Sequence, residues 1–317
     1  MTYHDPLVRI DELLANTSDP CFSVEFFPPK TDEGRAALFE TVDVLREFDP
    51  GFFSVTYGAG GSTHDRRITL EITKAIRDEH GVEAMAHLNV VGETAEGLRA
   101  TVDQLAADGI QNVLALRGDP PRGQPDFVQP EGGLGSAAEL TSLIAESHPD
   151  LAIAGACFPE VHPEAESPEA DIAYLKTKVD NGASFLITQL FFENRVYFDF
   201  VASARAAGIE VPIIPGVVPV VSLEQVRRVC ALCDASIPAR LEAELEALGG
   251  DERAEFELGV AYATQQCAEL LRAGAPGIHF YALNRWPATR AILGALRAAR
   301  PWDERPSEPA TAGQVSE

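Results

Sequence analysis

Glu25 is an acid in an unusual place: it interrupts the apolar run Phe22-Ser23-Val24-Glu25-Phe26-Phe27, which ends in Pro28-Pro29. In an extended strand, side chains alternate, so Ser23, Glu25 and Phe27 share one face and Phe22, Val24 and Phe26 the other. If the second face packs on helices, Glu25 points to the interior. Partial desolvation among aromatics raises a carboxyl toward neutrality, and such a group can donate a proton at physiological pH. A structural ion pair with Arg117 is the competing reading. A second acid, Asp119, closes the run Leu116-Arg117-Gly118-Asp119, where the neighbouring arginine would hold it ionised. Two carboxyls kept in different charge states suit acid catalysis.

Other polar residues gather where apolar runs end: Thr56 and Tyr57, His87 and Asn89, Arg117 and Asp119, Glu160 and His162, Gln189, Asn284 and Arg285. Solvent at strand ends explains one or two of these, but not their recurrence at nearly every run. Asp171 and Lys178 are seven apart and so share a helix face; an ordinary exposed pair is the bland reading. The turn Gly58-Ala59-Gly60-Gly61-Ser62-Thr63 is not the dinucleotide fingerprint, and no phosphate-loop lysine follows it. Its glycines would still let backbone approach a flat ligand. Cys230 and Cys233 form a lone pair inside a helical pattern and read as small buried hydrophobes. The histidines show no metal-binding spacing, so no metal is expected.

These residues need elements to hold them. Eight strand candidates recur, at 22–27, 52–57, 83–90, 112–118, 152–158, 185–192, 212–218 and 277–283, with amphipathic segments between them. Leu98, Val102 and Leu105 mark a helix over 94–108 that ends at Asp108-Gly109, and Ser167-Pro168 opens another carrying Ile172, Leu175 and Val179. Strand–helix alternation implies parallel pairing. Eight such units are the count that closes a (β/α)8 barrel, whose βα loops carry the active site at the C-terminal end. Residues 222–274 hold three helical patterns, so extra helices are expected before the eighth strand. The domain reading is one barrel over residues 1–300 and a mobile, Pro-rich tail over 301–317.

The chain has 317 residues, enough for one such barrel, and a formal net charge of −24 that argues against nucleic acid as partner. Only 4 of 25 basic residues are lysine. No apolar run approaches the roughly 18 residues that would span a membrane, and the first residues lack the pattern of a secretory signal. Five cysteines do not suggest a disulfide framework. A cytoplasmic protein is the expectation.

Seven segments in order, FSVEFFPPK (22–30), VTYGAGGST (55–63), LALRGDPP (114–121), FPEVHPEA (158–165), LITQLFF (186–192), PGVVPV (215–220) and HFYALNR (279–285), resemble the catalytic barrel of the methylenetetrahydrofolate reductase family. The resemblance implies FAD as bound cofactor, NADH or NADPH as co-substrate, and 5,10-methylenetetrahydrofolate as the substrate reduced to 5-methyltetrahydrofolate for methionine synthesis. It implies Glu25 as general acid and Asp119 beside both flavin and pterin. Thr56, Tyr57, Ala59, His87, Arg117, Gly118, Ala137, His162, Ala165, Asp171 and Lys178 match flavin-contacting positions. Lys178 would meet the pyrophosphate and Asp171 a ribose hydroxyl. Gln189, Gln225 and Arg285 match folate-contacting positions, and Thr56 and Gln189 also lie where the nicotinamide stacks. Ser136, Tyr174, Thr177 and Val229 depart from the family pattern near the adenosine half of FAD and the folate tail. A homo-oligomer is the expected assembly, its order unspecified, and the NADH or NADPH preference is not legible. A flavin-independent reductase and a non-catalytic folate-binding barrel are the other readings.

Overall fold

The computed structural model describes residues 8–57, 66–120, 123 and 126–304. Among them, eight strands form a closed barrel in chain order, every neighbouring pair parallel. They are β1 (Cys21–Phe26), β2 (Phe52–Val55), β3 (Ala84–Asn89), β4 (Asn112–Leu116), β5 (Ala152–Cys157), β6 (Phe185–Leu190), β7 (Ile213–Val217) and β8 (Gly277–Tyr281). All eight expected strands are present, and the parallel (β/α)8 architecture is as expected. They end one or two residues early, because the chain leaves the ladder to build turns. At 117–118, for instance, Gly118 swings to φ +87° immediately after β4.

The helices follow their local signals. Helix α1 (Ile10–Asn16) precedes the barrel, and α2 (Asp32–Arg46), α3 (Arg66–His80) and α4 (Ala95–Ala107) follow β1 to β3. Thr94 caps α4 by accepting from Gly97 N, and Gly109 (φ +78°) lies just past its end. Next come α5 (Ala137–Ser147), α6 (Pro168–Asp180) and α7 (Asn194–Ala206). Ser167 caps α6 with Pro168 in its first turn. Three helices, α8 (Leu223–Cys233), α9 (Ala239–Ala247) and α10 (Glu252–Arg272), separate β7 from β8, and α11 (Trp286–Ala299) completes the ring.

Alternation along β1 divides the molecule as expected. Phe22, Val24 and Phe26 pack outward with Leu38, Val42 and Leu45 of α2 and Ile292, Leu293 and Leu296 of α11. The lower interior is apolar: Phe52, Met85, Leu114, Phe185, Ile187 and Ile214 fill it together with Ile10 of α1. Ile10 N donates to Asn112 Oδ1 at 2.8 Å, fixing α1 against this end. The upper interior is polar, carrying Ser23, Glu25, Ser54, Thr56, His87, Asn89 and His279. The barrel is thus closed by hydrocarbon below and offers polar groups above.

The tail expectation needs a correction. Residues Pro301–Glu304 form a 3-10 turn in which Trp302 is buried, its ring edge-on to Phe22 at 5.8 Å. The barrel unit therefore extends past residue 300, because an indole finds an apolar seat beside β1. Residues 305–317 lie outside the described residues.

Candidate active site

Glu25 reaches the upper interior with a side chain about one-fifth exposed, and two imidazoles face the same oxygen. His87 Nε2 lies 3.5 Å and His279 Nε2 3.7 Å from Glu25 Oε2. Arg117 is not its partner. The Arg117 guanidinium makes a bidentate pair with Glu164, the Nη2–Oε1 arm at 2.9 Å. That hydrogen bond holds the Glu164 carboxyl below its usual range and raises Arg117. The ion pair of Glu25 with Arg117 is thereby removed. Burial pushes His87 from 6.5 down to about 4, so at neutral pH its ring is uncharged.

The rim is built from the strand ends. Thr56 N donates to Phe26 O at 2.8 Å, binding the β2 exit to β1. Asn284 clasps the same end: its Oδ1 accepts from Phe27 N at 3.0 Å and its Nδ2 donates to Phe27 O at 2.8 Å. That clasp turns the chain through left-handed Leu283 and Asn284 and sets Arg285, which is exposed, at the start of α11. A Cβ on Gly118 would stand 2.9 Å from Val91 Cγ2 and 3.0 Å from Asn89 Cβ, so this turn requires glycine. Asp119 follows it, exposed at the mouth. Gln189 is next to last in β6 beside a register shift, its Oε1 accepting from Leu190 N at 2.9 Å. It lines a small cleft with Phe158, Glu160, Val161 and Cys233. Several buried polar atoms here make no hydrogen bond to protein: Ser54 Oγ, Thr56 Oγ1, His87 Nε2, Asn89 Oδ1 and His279 Nε2. Buried donors and acceptors in that state mark a surface shaped for a polar ligand.

A second group lies on the flank, between α5 and α6. Asp171 Oδ2 accepts from His162 N at 3.0 Å, and Ala165 N donates to His162 O at 2.9 Å, so Asp171 braces the loop after β5. Val161 in that loop has φ +72°, a strained value for a β-branched residue. Burial lowers His162. Lys178 is almost wholly buried; its Nζ donates to Ala156 O at 2.5 Å and stands 5.1 Å over the Tyr174 ring. Burial lowers Lys178 as well. Tyr174 OH accepts from Ala138 N at 3.4 Å, next to Ala137 in the first turn of α5. Ser136, a departure from the family pattern, caps that helix by accepting from Glu139 N.

Some expected residues do not meet the rest. Gln225 does not present a free amide: it is buried, Nε2 donates to Pro219 O at 3.0 Å and Oε1 accepts from Val221 N at 3.0 Å. It shapes the loop after β7 because both ends of its amide meet backbone there. Tyr57 packs beside the apolar cluster of β3, β4 and α4, and Ala59 lies outside the described residues. His279 was not singled out in the sequence. The signal was present, since His279 and Tyr281 alternate on the inner face of β8.

The family model described as methylenetetrahydrofolate reductase matches residues 9–297. A relative in Arabidopsis thaliana, "Methylenetetrahydrofolate reductase (NADH) 1", is 41% identical over 285 residues, 87% of this chain and 47% of that one. The chain thus spans about half the length of the plant relatives it matches. The 5,10-methylenetetrahydrofolate reductase of Escherichia coli K12 is 38% identical over 276 residues, covering 86% of this chain and 90% of its own. Among solved structures, a protein from Clostridium thermocellum described as binding two copies of 5-methyl-5,6,7,8-tetrahydrofolic acid shares the fold. Its TM-score is 0.63 at 17% identity, covering 92% of this chain and 98% of that one.

Proposed function

The chain belongs to the methylenetetrahydrofolate reductase family, and from that premise we propose that it reduces 5,10-methylenetetrahydrofolate to 5-methyltetrahydrofolate with NADH or NADPH through bound FAD. The observation that carries this reading is Glu25, an acid inside the polar end of the barrel with uncharged His87 at 3.5 Å. Its neighbours there are the imidazoles of His87 and His279, and no lysine or arginine of the described residues pairs with it within 4 Å.

The residues fit a flavin. Thr56, His87 and Asn89 bring unpaired buried polar atoms to the rim, and Gly118 leaves bare backbone beside them. On the flank, Ala137, His162, Ala165, Asp171 and Lys178 would take the adenosine and pyrophosphate half. Lys178 already has a carbonyl partner, so its part is to hold Ala156 and Tyr174 in place and add positive charge beneath them. FAD held there would supply hydride transfer between the nicotinamide and the methylene carbon of the folate. Glu25 supplies the proton that the departing nitrogen needs as the methylene bridge opens, the carbon–nitrogen electron pair staying on that nitrogen. Asp119, Gln189 and Arg285, at three separate strand ends, would orient the pterin and its tail. The exposed Arg285 guanidinium suits the folate carboxylates.

Anaerobic titration of the purified protein with NADH and with NADPH, followed by the folate, tests the reading. Bleaching of a flavin spectrum and its recovery on adding 5,10-methylenetetrahydrofolate is the expected result. A colourless protein that reduces the folate without added FAD would overturn the flavin step, and no reduction at all would overturn the activity.

A further inference from the structure

His279 on β8 has no role in the reading above, yet it is fully buried against the residue that carries it. Strand register explains the meeting. Ser23 is opposite His279 and Glu25 opposite Tyr281, and Ser23 and Glu25 share one face of β1. The result is a short polar line: Ser23 Oγ lies 2.8 Å from His279 Nδ1, and His279 Nε2 lies 3.7 Å from Glu25 Oε2. The ring is held from two sides, stacked on Phe52 at 5.9 Å and 23°, and edge-on to Tyr281 at 5.3 Å and 87°. It has little freedom to turn away.

The tautomer follows from what each atom needs. The buried Ser23 hydroxyl carries one proton, and the acceptor within reach is His279 Nδ1. With the hydroxyl as donor, Nδ1 would keep its lone pair and the ring proton would sit on Nε2, the atom that faces Glu25. A carboxyl oxygen is the natural acceptor for that proton. The 3.7 Å gap is longer than a hydrogen bond, as catalytic contacts commonly are before substrate closes the site. The other titratable groups facing this ring do not compete. Tyr281 OH donates to Thr188 O at 2.6 Å, and the neutral His87 faces the same Glu25 oxygen from β3.

We propose that Ser23 and His279 are positioning residues for Glu25. Ser23 fixes the Nε2–H tautomer, and that N–H holds Oε2 so that the transferable proton is carried on Oε1. This rests on the reading of Glu25 as the general acid. Its consequence is specific: the donor matters, not merely the bulk, at position 279.

The test compares His279→Leu, His279→Gln and Ser23→Ala in the folate half-reaction, by stopped flow across a range of pH. His279→Leu keeps bulk and loses the N–H. It is expected to slow folate reduction about 10- to 100-fold, the range for a hydrogen bond to an ionisable group, with KM for the folate nearly unchanged and the pH–rate profile displaced. His279→Gln keeps an N–H at similar reach and should recover to within a few-fold of wild type. Ser23→Ala should move the rate and profile as the leucine variant does, and the double variant should be no worse than the single one. Nitrogen-15 spectra of histidine-labelled wild type should show His279 protonated at Nε2, a readout that stands even where a variant folds poorly. Equal losses in the leucine and glutamine variants, unchanged rates and profiles, or an Nδ1–H tautomer would each overturn the proposal. A wild type that cannot reduce the folate overturns the parent reading and this inference with it. A wild type that does so, with an unaffected leucine variant, overturns this inference alone.

Discussion

At Gly118 a single hydrogen decides whether the rim can form. Its φ of +87° and its approach to Val91 and Asn89 leave no room for a side chain. Gly118→Ala is expected to cost about 1–2 kcal/mol from the backbone alone and to lower flavin occupancy, both measurable by denaturation and by absorbance of the purified protein. An alanine variant with full stability and full flavin content would contradict the role given to this turn. His87 makes a pH prediction. Burial lowers it from 6.5 to about 4, so the unfolded chain takes up a proton before the folded one does. Stability contributed by keeping His87 neutral is fully present above about pH 6.5 and falls away as pH drops toward 4, by roughly 3 kcal/mol at most. His87→Asn should flatten the stability–pH curve across that window in urea titrations, and an unchanged slope would refute the assignment. Glu25 could be read from sequence because strand alternation and an acid among aromatics are both local signals. Alternation marks His279 as inward too, but its meaning lies in register with Ser23 of β1, 256 residues away. Gln225 shows the converse limit: a polar residue near a strand end looks the same in sequence whether or not its amide meets backbone, as this one does.

Among the elements, eight strands, the end of α4 and the cap of α6 were legible, since period-2 runs, Asp108-Gly109 and Ser167-Pro168 act within a few residues. Two pieces were not. Helix α1 is short, and what stabilises it is the seat of Ile10 against the barrel floor and the bond from its backbone to Asn112. The turn at Pro301–Glu304 is polar apart from Trp302, whose burial beside Phe22 depends on where β1 lies. Trp302→Ala is expected to destabilise the fold by about 3–5 kcal/mol, the usual range for removing a buried tryptophan. Thermal unfolding of the variant checks this, and a change below about 1 kcal/mol would show that the turn does not belong to the core.

Over the whole molecule, an apolar lower barrel and a polar upper one gather Glu25, His87, Asp119 and Gln189 at a single end, which is where a parallel barrel gathers its βα loops. The formal net charge of −24 says nothing about the chemistry within. If the flavin reading holds, the protein purifies yellow with one non-covalent FAD per barrel, countable by absorbance after denaturation. The most direct measurement of the central claim is stopped flow on Glu25→Gln, with each half-reaction followed separately. The substitution keeps shape and hydrogen-bonding reach but removes the transferable proton. Reduction of the flavin by NADH should stay within a few-fold of wild type, while reduction by the folate step should fall by about 10²–10⁴-fold, the usual loss with a general acid. A variant that still reduces 5,10-methylenetetrahydrofolate at the wild-type rate would contradict the acid role of Glu25.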